Sequence, residues 1–339
     1  MKRVVKRLLL LVLVLALLAG GAAAWFWNHY QQFLATPLDL PAEGLVLEVP
    51  SGQSLAQLAK ELESRGVIED ARLLRFHVRL DRGAGAIKAG EYRLEPGMTP
   101  RQLLALLVSG KTLTHSITFP EGWTFRQWRN LISQHPALVH TLDELSDDAV
   151  MKRIGQPGVH PEGRFFPDTY LFPRGFSDVQ LLKKAWQRME RELAAAWKER
   201  DEGLPLKTPY EALILASIIE KETGVAGERR EIAGVFTRRL KKGMRLQTDP
   251  TVIYGMGDEY KGNIRRRDLK KDTPYNTYVH AGLPPTPICM PGRESLLAAV
   301  HPAEGKALYF VARGDGSHHF SATLREHNRA VRKYQLKRK

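Results

Sequence analysis

The sequence predicts an α+β protein with three parts: a single N-terminal transmembrane helix, a small α/β subdomain and a larger mixed α+β domain. Three observations support this division. Residues 8–27 form an uncharged apolar run, residues 45–110 alternate short strand and helix patterns, and residues 111–339 combine helical patterns with loops rich in proline and aromatic residues. With 339 residues, 43% of them hydrophobic, the chain is long enough for two ordinary domains.

The N-terminus predicts a membrane anchor. The apolar run 8–27 follows the basic segment MKRVVKR, residues 1–7. At about 1.5 Å per residue the run spans roughly 30 Å, the thickness of a bilayer core. The basic residues place the N-terminus in the cytoplasm, and Trp25 and Trp27 fit an interfacial aromatic belt. A cleaved signal peptide is the alternative, because AAA at 22–24 resembles a cleavage site, although the run is longer than a usual signal core.

The charge and the cysteine content exclude some classes of function. The formal net charge of +14 attracts polyanions such as nucleic acid, anionic lipid or cell-wall polymers. Export makes nucleic acid a poor partner, and the basic cluster 265–272 lacks the interleaved aromatic residues of a single-strand platform. A single cysteine, Cys289, excludes an intramolecular disulfide framework and a cysteine-rich zinc site.

Residues 28–44, with two prolines, predict a linker, and residues 45–110 predict a small unit of strands and capped helices. The cap and stop positions of its helices are Ser54, Gly66, Asp70, Thr99 and Gly110. The stretch VPSGQSLAQLAKELESRGVI resembles a LysM-like module, a small fold that holds glycan in many wall proteins. Sugar binding and a spacer role are both open for this unit.

A buried helix is predicted to begin at Thr208, where Thr-x-x-Glu with proline at the first helical position forms a capping box. Residues 212–219 have no polar stripe, so this helix is buried on most sides. It ends in Glu220, Lys221 and Glu222. Both glutamates follow apolar surface, and periodicity does not choose between them.

A carboxyl at the end of a buried helix has a chemical consequence. Lost solvation and the negative end of the helix dipole both favour its protonated form. A carboxylic acid that is protonated near neutral pH is what a general acid requires. The alternative is a solvated helix end, in which Lys221 offsets two acids.

Several motifs stand in order along the chain: LASIIEKET, RLQTDPTVIYG, TPYNTY followed by GLPPTPI, and LYFVARGDGSHHFSATLREHN. Together they resemble the motifs of the endolytic murein transglycosylases of the MltG (YceG-like) family. The resemblance extends from the anchor to about residue 330. It implies that residues 111–339 are the catalytic domain, that Glu220 is the catalytic acid and that Glu222 is its structural neighbour.

The resemblance also implies the reaction and its place. The family cuts the β-1,4 bond between N-acetylmuramic acid and N-acetylglucosamine in nascent peptidoglycan strands and leaves 1,6-anhydro ends. One acid acts twice, so no metal or cofactor is implied. The expected partners are glycan strands, the membrane and peptidoglycan synthases, and the expected location is the inner membrane, single-pass, with the catalytic domain in the periplasm.

Candidate substrate contacts come from the aromatic loop 161–175, the segment after residue 246 and the long loop 267–292. Their amide, hydroxyl, carboxyl and aromatic groups suit a sugar, although a role in loop closure is equally open for each: Gln247, Thr248, Asp249, Tyr254, Asn276, Tyr278, Glu162 and Asp168. No metal site is predicted at His318, His319 and His327, because no cysteine or tight acidic set completes one.

Two other functions compete with a lytic transglycosylase. A hydrolase would use Asp168 or Asp249 to activate water and would leave a free reducing end. A non-catalytic scaffold would bind glycan without cutting it and recruit synthesis enzymes.

Overall fold

The computed structural model describes residues 2–80 and 87–336, and the chain folds into two compact units. The N-terminal unit consists of Met1–His115 with Phe172–Gly175. The C-terminal unit consists of Ser116–Leu171 with Phe176–Lys339. Both units contain helices and strands, so the predicted mixed α+β class is confirmed.

The N-terminal unit contains four helices and one antiparallel pair of strands within its described residues. These elements are α1 (Lys2–Ala35), β1 (Leu45–Val49), α2 (Leu55–Ser64), α3 (Ala71–Leu80), β2 (Gly90–Leu94) and α4 (Pro100–Ser109). In the β1–β2 pair Leu45 lies opposite Leu94, and Val49 lies opposite Gly90. Alternate residues of the two strands face a core shared with α2, α3 and α4.

Helix α1 is long and apolar enough to cross a membrane. It continues through residues 28–35, which the sequence predicts to be linker. The difference has a packing cause, because Tyr30, Phe33 and Leu34 are buried in the core of the N-terminal unit. Burial of these side chains stabilises a helix end that local sequence does not mark.

Two predicted helix starts in the N-terminal unit have side-chain caps that satisfy the free backbone N–H groups. Ser54 and Thr99 each form a capping box at the start of α2 and α4. Gly110 ends α4 in the left-handed conformation, with φ of 72°.

The C-terminal unit is built mainly of helices with short strands, and the chain passes between the units within β3 and β5. Its elements are β3 (Thr114–Thr118), α5 (Phe125–Ser133), β4 (Leu138–Val139), α6 (Asp147–Ile154), β5 (Thr169–Pro173), β6 (Phe176–Ser177), α7 (Asp178–Lys198), α8 (Pro209–Glu222), α9 (Arg229–Lys241), α10 (Asp249–Met256), α11 (Arg293–Val300), β7 (Tyr309–Ala312), β8 (His318–Ser321) and α12 (Leu324–Val331). Strands β4 and β6 pair in parallel, and β7 and β8 pair antiparallel.

Helix α8 is the central helix of the C-terminal unit. Every residue from Ala212 to Ile219 is buried, and α7, α9, α10 and α11 pack around the helix. Thr208 caps it by accepting a hydrogen bond from the Glu211 N–H, as predicted, whereas the Glu211 carboxylate turns back to the N–H of Lys207. The polar end of this helix, from Glu220 to Glu222, therefore directly follows its buried segment.

Candidate active site

Glu220 lies in the last turn of α8, with its carboxylate between a backbone N–H and a guanidinium. The N–H of Gly292, just before α11, donates to Glu220 Oε2 at 2.9 Å. Arg229, the first residue of α9, places Nη2 3.6 Å from Glu220 Oε1, and the Glu220 side chain is only 7% exposed. A carboxylate held from two sides has a defined position, which a group that reacts with substrate requires.

The loop before α11 is attached to α8 through Ser217. The Ser217 hydroxyl is fully buried and accepts the N–H of Ile288 at 3.0 Å. The thiol of Cys289 donates to the Ser217 carbonyl at 3.3 Å, and burial raises the pKa of this thiol. These contacts fix the position of Gly292 against the end of the helix.

The PEGWT loop, residues 120–124 before α5, is bonded to the loop before α11 by backbone hydrogen bonds. The N–H of Gly122 donates to the Met290 carbonyl at 2.8 Å, and the N–H of Met290 donates to the Trp123 carbonyl at 2.8 Å. The amine of Lys221 donates to the Gly122 carbonyl at 3.3 Å. The loop thereby carries Glu121 to the end of α8.

Glu121 supplies a second carboxylate to this site. Arg229 Nη2 lies 4.0 Å from Glu121 Oε2, so one guanidinium nitrogen faces both Glu121 and Glu220. Burial and the negative charge of Glu220 raise the pKa of Glu121, although Arg229 opposes the change. The Glu121 side chain is half-exposed, whereas that of Glu220 is enclosed.

Glu162 forms a separate polar cluster in the interior. Its carboxylate accepts the hydroxyl of Tyr254 at 3.0 Å and the N–H of Phe125 at 3.1 Å. Burial nevertheless raises the pKa of Glu162 to about 7. The ring of Tyr254 meets the edge of Tyr275 with the ring centroids 4.8 Å apart, so this cluster ties α10 to the aromatic loop and the long loop.

The raised pKa of Glu162 predicts a pH-dependent stability. The pKa of Glu162 in the folded chain is about 7, whereas its ordinary value is 4.5. The protonated carboxyl therefore makes its full contribution to the free energy of unfolding below pH 4.5, and this contribution is lost as the pH rises through 7. We expect Glu162→Gln to match wild type at pH 4.5 and to exceed its free energy of unfolding by on the order of 2–3 kcal/mol at pH 8. Chemical denaturation at the two pH values measures this, and a variant that gains nothing at pH 8 would contradict it.

Glu222 faces a different environment from Glu220, because residues two apart on a helix point to nearly opposite sides. It lines a cavity of about 400 Å³ and accepts a hydrogen bond from the Thr248 hydroxyl. Burial raises the pKa of Glu222 to about 7. We call this space the Glu222 cavity; its polar and aromatic lining includes Arg239, Gln247, Asp249, Tyr278, Tyr309, His318 and His327.

The profile of the YceG-like family matches residues 47–333. The chain belongs to the YceG-like family. The family predicted from the motifs is therefore confirmed.

Relatives of this YceG-like chain include named enzymes. The endolytic murein transglycosylase of Bacillus subtilis strain 168 is 33% identical over 323 residues, covering 90% of this chain and 89% of the relative. The endolytic murein transglycosylase of Streptococcus pneumoniae serotype 2 strain D39 is 26% identical over 353 residues, covering 91% of this chain and 62% of the relative. The solved structure of a yceG-like protein from Listeria monocytogenes is 33% identical, has a TM-score of 0.52, and covers 85% of this chain and 99% of that chain.

In the YceG-like chain three of the predicted substrate contacts line the Glu222 cavity, namely Gln247, Asp249 and Tyr278. The Tyr278 hydroxyl donates to Asp249 Oδ1 at 2.7 Å. Gln247 has a φ of 49°, the single non-glycine residue with positive φ among those described, and its N–H donates to the Thr277 carbonyl at 3.1 Å. This left-handed conformation is uncommon for a residue with a side chain, and it occurs here at a residue that lines the Glu222 cavity.

Asn276 and Asp168 lie among structural contacts in this YceG-like fold. Asn276 is 1% exposed, and its amide donates to the Asp268 and Lys271 carbonyls at 3.2 and 2.7 Å. Asp168 forms an ion pair with Arg188. Tyr254 and Glu162 contact each other, and Thr248 contacts Glu222, so the predicted residues occupy several groups rather than one surface with Glu220.

The histidines of the last motif have protein partners. His318 Nδ1 lies 2.7 Å from Glu228 Oε2, and the ring of His327 stacks on Tyr309. Within the described ranges, the acid and histidine group with metal-ligand spacing is instead His140, Asp143 and Asp178. Asp178 already accepts the N–H groups of three residues and the Thr141 hydroxyl.

Sequence reasoning missed three members of the Glu220 site. They are Glu121, Arg229 and Gly292, which lie 99, 9 and 72 residues from Glu220. In the sequence, PEGWT at residues 120–124 links a strand pattern to a helix pattern, and Arg229 lies near the start of a further helical pattern. The available signal was a carboxylate in a Pro-Glu-Gly turn, where the glycine at 122 adopts φ of 76°.

Proposed function

We propose that this YceG-like protein is a membrane-anchored endolytic peptidoglycan lytic transglycosylase with Glu220 as its catalytic acid. The observation that carries this proposal is the enclosed Glu220 carboxylate at the end of the buried helix α8, held by the Gly292 N–H and by Arg229. The endolytic murein transglycosylase named among its relatives, 33% identical over 90% of the chain, supports the same reading.

The proposed reaction uses one carboxyl twice. Glu220, protonated, gives its proton to the oxygen that links N-acetylmuramic acid to N-acetylglucosamine as the bond to C1 breaks. The resulting Glu220 carboxylate takes the proton of the sugar's own C6 hydroxyl as that oxygen bonds to C1. The 2-acetamido group stabilises the positive charge at C1, the 1,6-anhydro end forms, and Glu220 is again protonated. No water is consumed.

We propose that the Glu222 cavity holds part of the glycan. The Tyr278 and Tyr309 rings offer flat apolar faces to sugar C–H groups, and Gln247 and Asp249 offer hydrogen-bonding groups. Thr248, Asn276, Tyr254, Glu162 and Asp168 are proposed to shape the loops around the site, because each has close protein partners.

The proposed cellular setting follows from α1. We propose that α1 spans the inner membrane once, with residues 1–7 in the cytoplasm and both folded units in the periplasm. The antiparallel strands and capped helices of residues 45–110 are consistent with a LysM-like unit that holds glycan or acts as a spacer. Action on strands as they are made would bring the protein close to peptidoglycan synthases.

Product analysis tests the reaction. The full-length protein in detergent micelles is incubated with purified peptidoglycan, and the fragments are resolved by mass. We expect internal cuts whose new ends are anhydro sugars, lighter by one water than hydrolysed ends. Hydrated ends would favour the hydrolase with Asp249 as base, since Asp249 lines the Glu222 cavity. Binding of glycan without any cut would favour the scaffold.

A further inference from the structure

Arg229 presents one fixed cation to two carboxylates. Its Nη2 lies 3.6 Å from Glu220 Oε1 and 4.0 Å from Glu121 Oε2. The Arg229 side chain is only 13% exposed, and its buried Nε has no hydrogen-bond partner within the described residues. In such an enclosed place the charge of the guanidinium is balanced mainly by these two acids.

Glu121 and Glu220 also meet at Gly292. The N–H of Gly292 donates to Glu220, and the space beside its Cα is filled by Glu121. A Cβ built on Gly292 would lie 1.8 Å from Glu121 Oε1. The missing side chain of Gly292 therefore makes room for the second carboxylate, and two independent contacts hold Glu121 beside the proposed acid.

This arrangement has an electrostatic consequence for the proposed reaction. An arginine alone beside a carboxylate favours its ionised form, which has no proton to give. A second negative charge next to the same arginine offsets this effect. Two carboxylates and one guanidinium together carry one net negative charge. One proton held by the pair of acids therefore makes the group of three neutral.

We propose that Glu121 is a positioning residue for the transglycosylase reaction: it offsets the charge of Arg229, so that Glu121 and Glu220 together can hold one transferable proton. This inference rests on the proposed function. The other charged groups that face Glu121 are Glu294 from α11 and, through the Gly122 carbonyl, Lys221 from α8. Glu294 adds a further negative charge and acts in the same direction as Glu220.

The test compares three substitutions in the full-length protein across pH 4.5–9. Glu121→Gln removes the charge and keeps the shape, and Glu121→Asp restores the charge on a shorter side chain. Glu190→Gln is the matched control. The Glu190 side chain is 48% exposed, and its Oε1 lies 3.7 Å from Nη1 of the enclosed Arg164. The corresponding values for Glu121 and Arg229 are 47% and 4.0 Å. Steady-state cleavage of a soluble glycan gives kcat and KM at each pH.

For Glu121→Gln we expect kcat at pH 7.5 to fall at least about tenfold, because the alkaline limb of the kcat profile moves at least one pH unit lower. Near pH 4.5 the variant approaches wild type, and KM changes little. Glu121→Asp recovers part of the loss, and Glu190→Gln behaves as wild type. A change in KM alone, a loss that is equal at every pH, or no loss would each overturn the proposal.

The outcome for Glu121 is separable from that for the proposed function. The product ends formed by wild type decide between lyase and hydrolase, while the pH profile decides the role of Glu121 in either case. A third readout needs no turnover: a carbon-13 NMR titration of glutamate-labelled protein. We expect the carboxyl signal that is lost in Glu220→Gln to titrate at lower pH in Glu121→Gln than in wild type, and an unchanged titration of that signal would contradict the proposal.

Discussion

Replacing Glu220 by glutamine is expected to lower the rate of glycan cleavage by roughly a thousandfold, within the range that a general acid supplies. The amide can still accept the Gly292 N–H that now binds Oε2 at 2.9 Å, so the site keeps its shape and loses its proton. Anhydro ends, quantified by mass spectrometry under initial-rate conditions, measure the effect.

Glu222→Gln is the companion variant for this experiment. Glu222 belongs to the same helix end but contacts Thr248 in the Glu222 cavity, away from Arg229. We expect it to retain most of the turnover and to change mainly KM. Equal cleavage by Glu220→Gln and wild type would reject Glu220 as the acid and make Glu222 the next candidate.

Gly292→Ala is expected to have the second-largest effect, a loss of about a hundredfold in kcat/KM, as is typical of a misplacement of about 1 Å in a reacting group. The backbone at Gly292 has φ of −80° and ψ of 175°, which any residue adopts. The new methyl group instead collides with the Glu121 carboxylate, at 1.8 Å from Oε1. Because the half-exposed Glu121 side chain can swing away, the fold should survive while the site is disturbed.

A matched control for this substitution is Gly224→Ala, just beyond α8, where an added Cβ meets nothing within 4 Å. We expect both variants to unfold within a few degrees of wild type, and Gly224→Ala to keep full activity. Adding Glu121→Gln to Gly292→Ala should restore little activity. A displaced Glu121 and a glutamine at this position both leave Arg229 without the second negative charge. A fully active Gly292→Ala variant would show that the position of Glu121 does not matter.

The buried helix of the C-terminal unit was predictable because its signals are local. Residues 212–219 are apolar except for Ser217, and Thr208 caps the start. The caps Ser54 and Thr99 were predictable for the same reason. The continuation of α1 to Ala35 was not, since Tyr30 and Phe33 favour helix there only through a core formed by later residues.

The candidate site shows the same limit. Periodicity places Glu220 and Glu222 equally close to apolar surface, and only the tertiary structure shows that one faces Arg229 and the other faces Thr248. Glu121 reaches the site through hydrogen bonds between two loops that are remote in sequence. Such pairings leave no pattern in a single sequence, so Glu220 could be proposed from the family resemblance, whereas Glu121 could not be found.

The unbroken course of α1 has a consequence for where the N-terminal unit can work. Tyr30, a buried member of the core of that unit, follows the end of the apolar run at residue 27 by less than one helical turn. In a bilayer the unit would have no hinge on which to swing outward, and its core would begin at the level of the lipid head groups. Under the proposed topology, glycan that reaches this unit therefore lies close to the membrane surface.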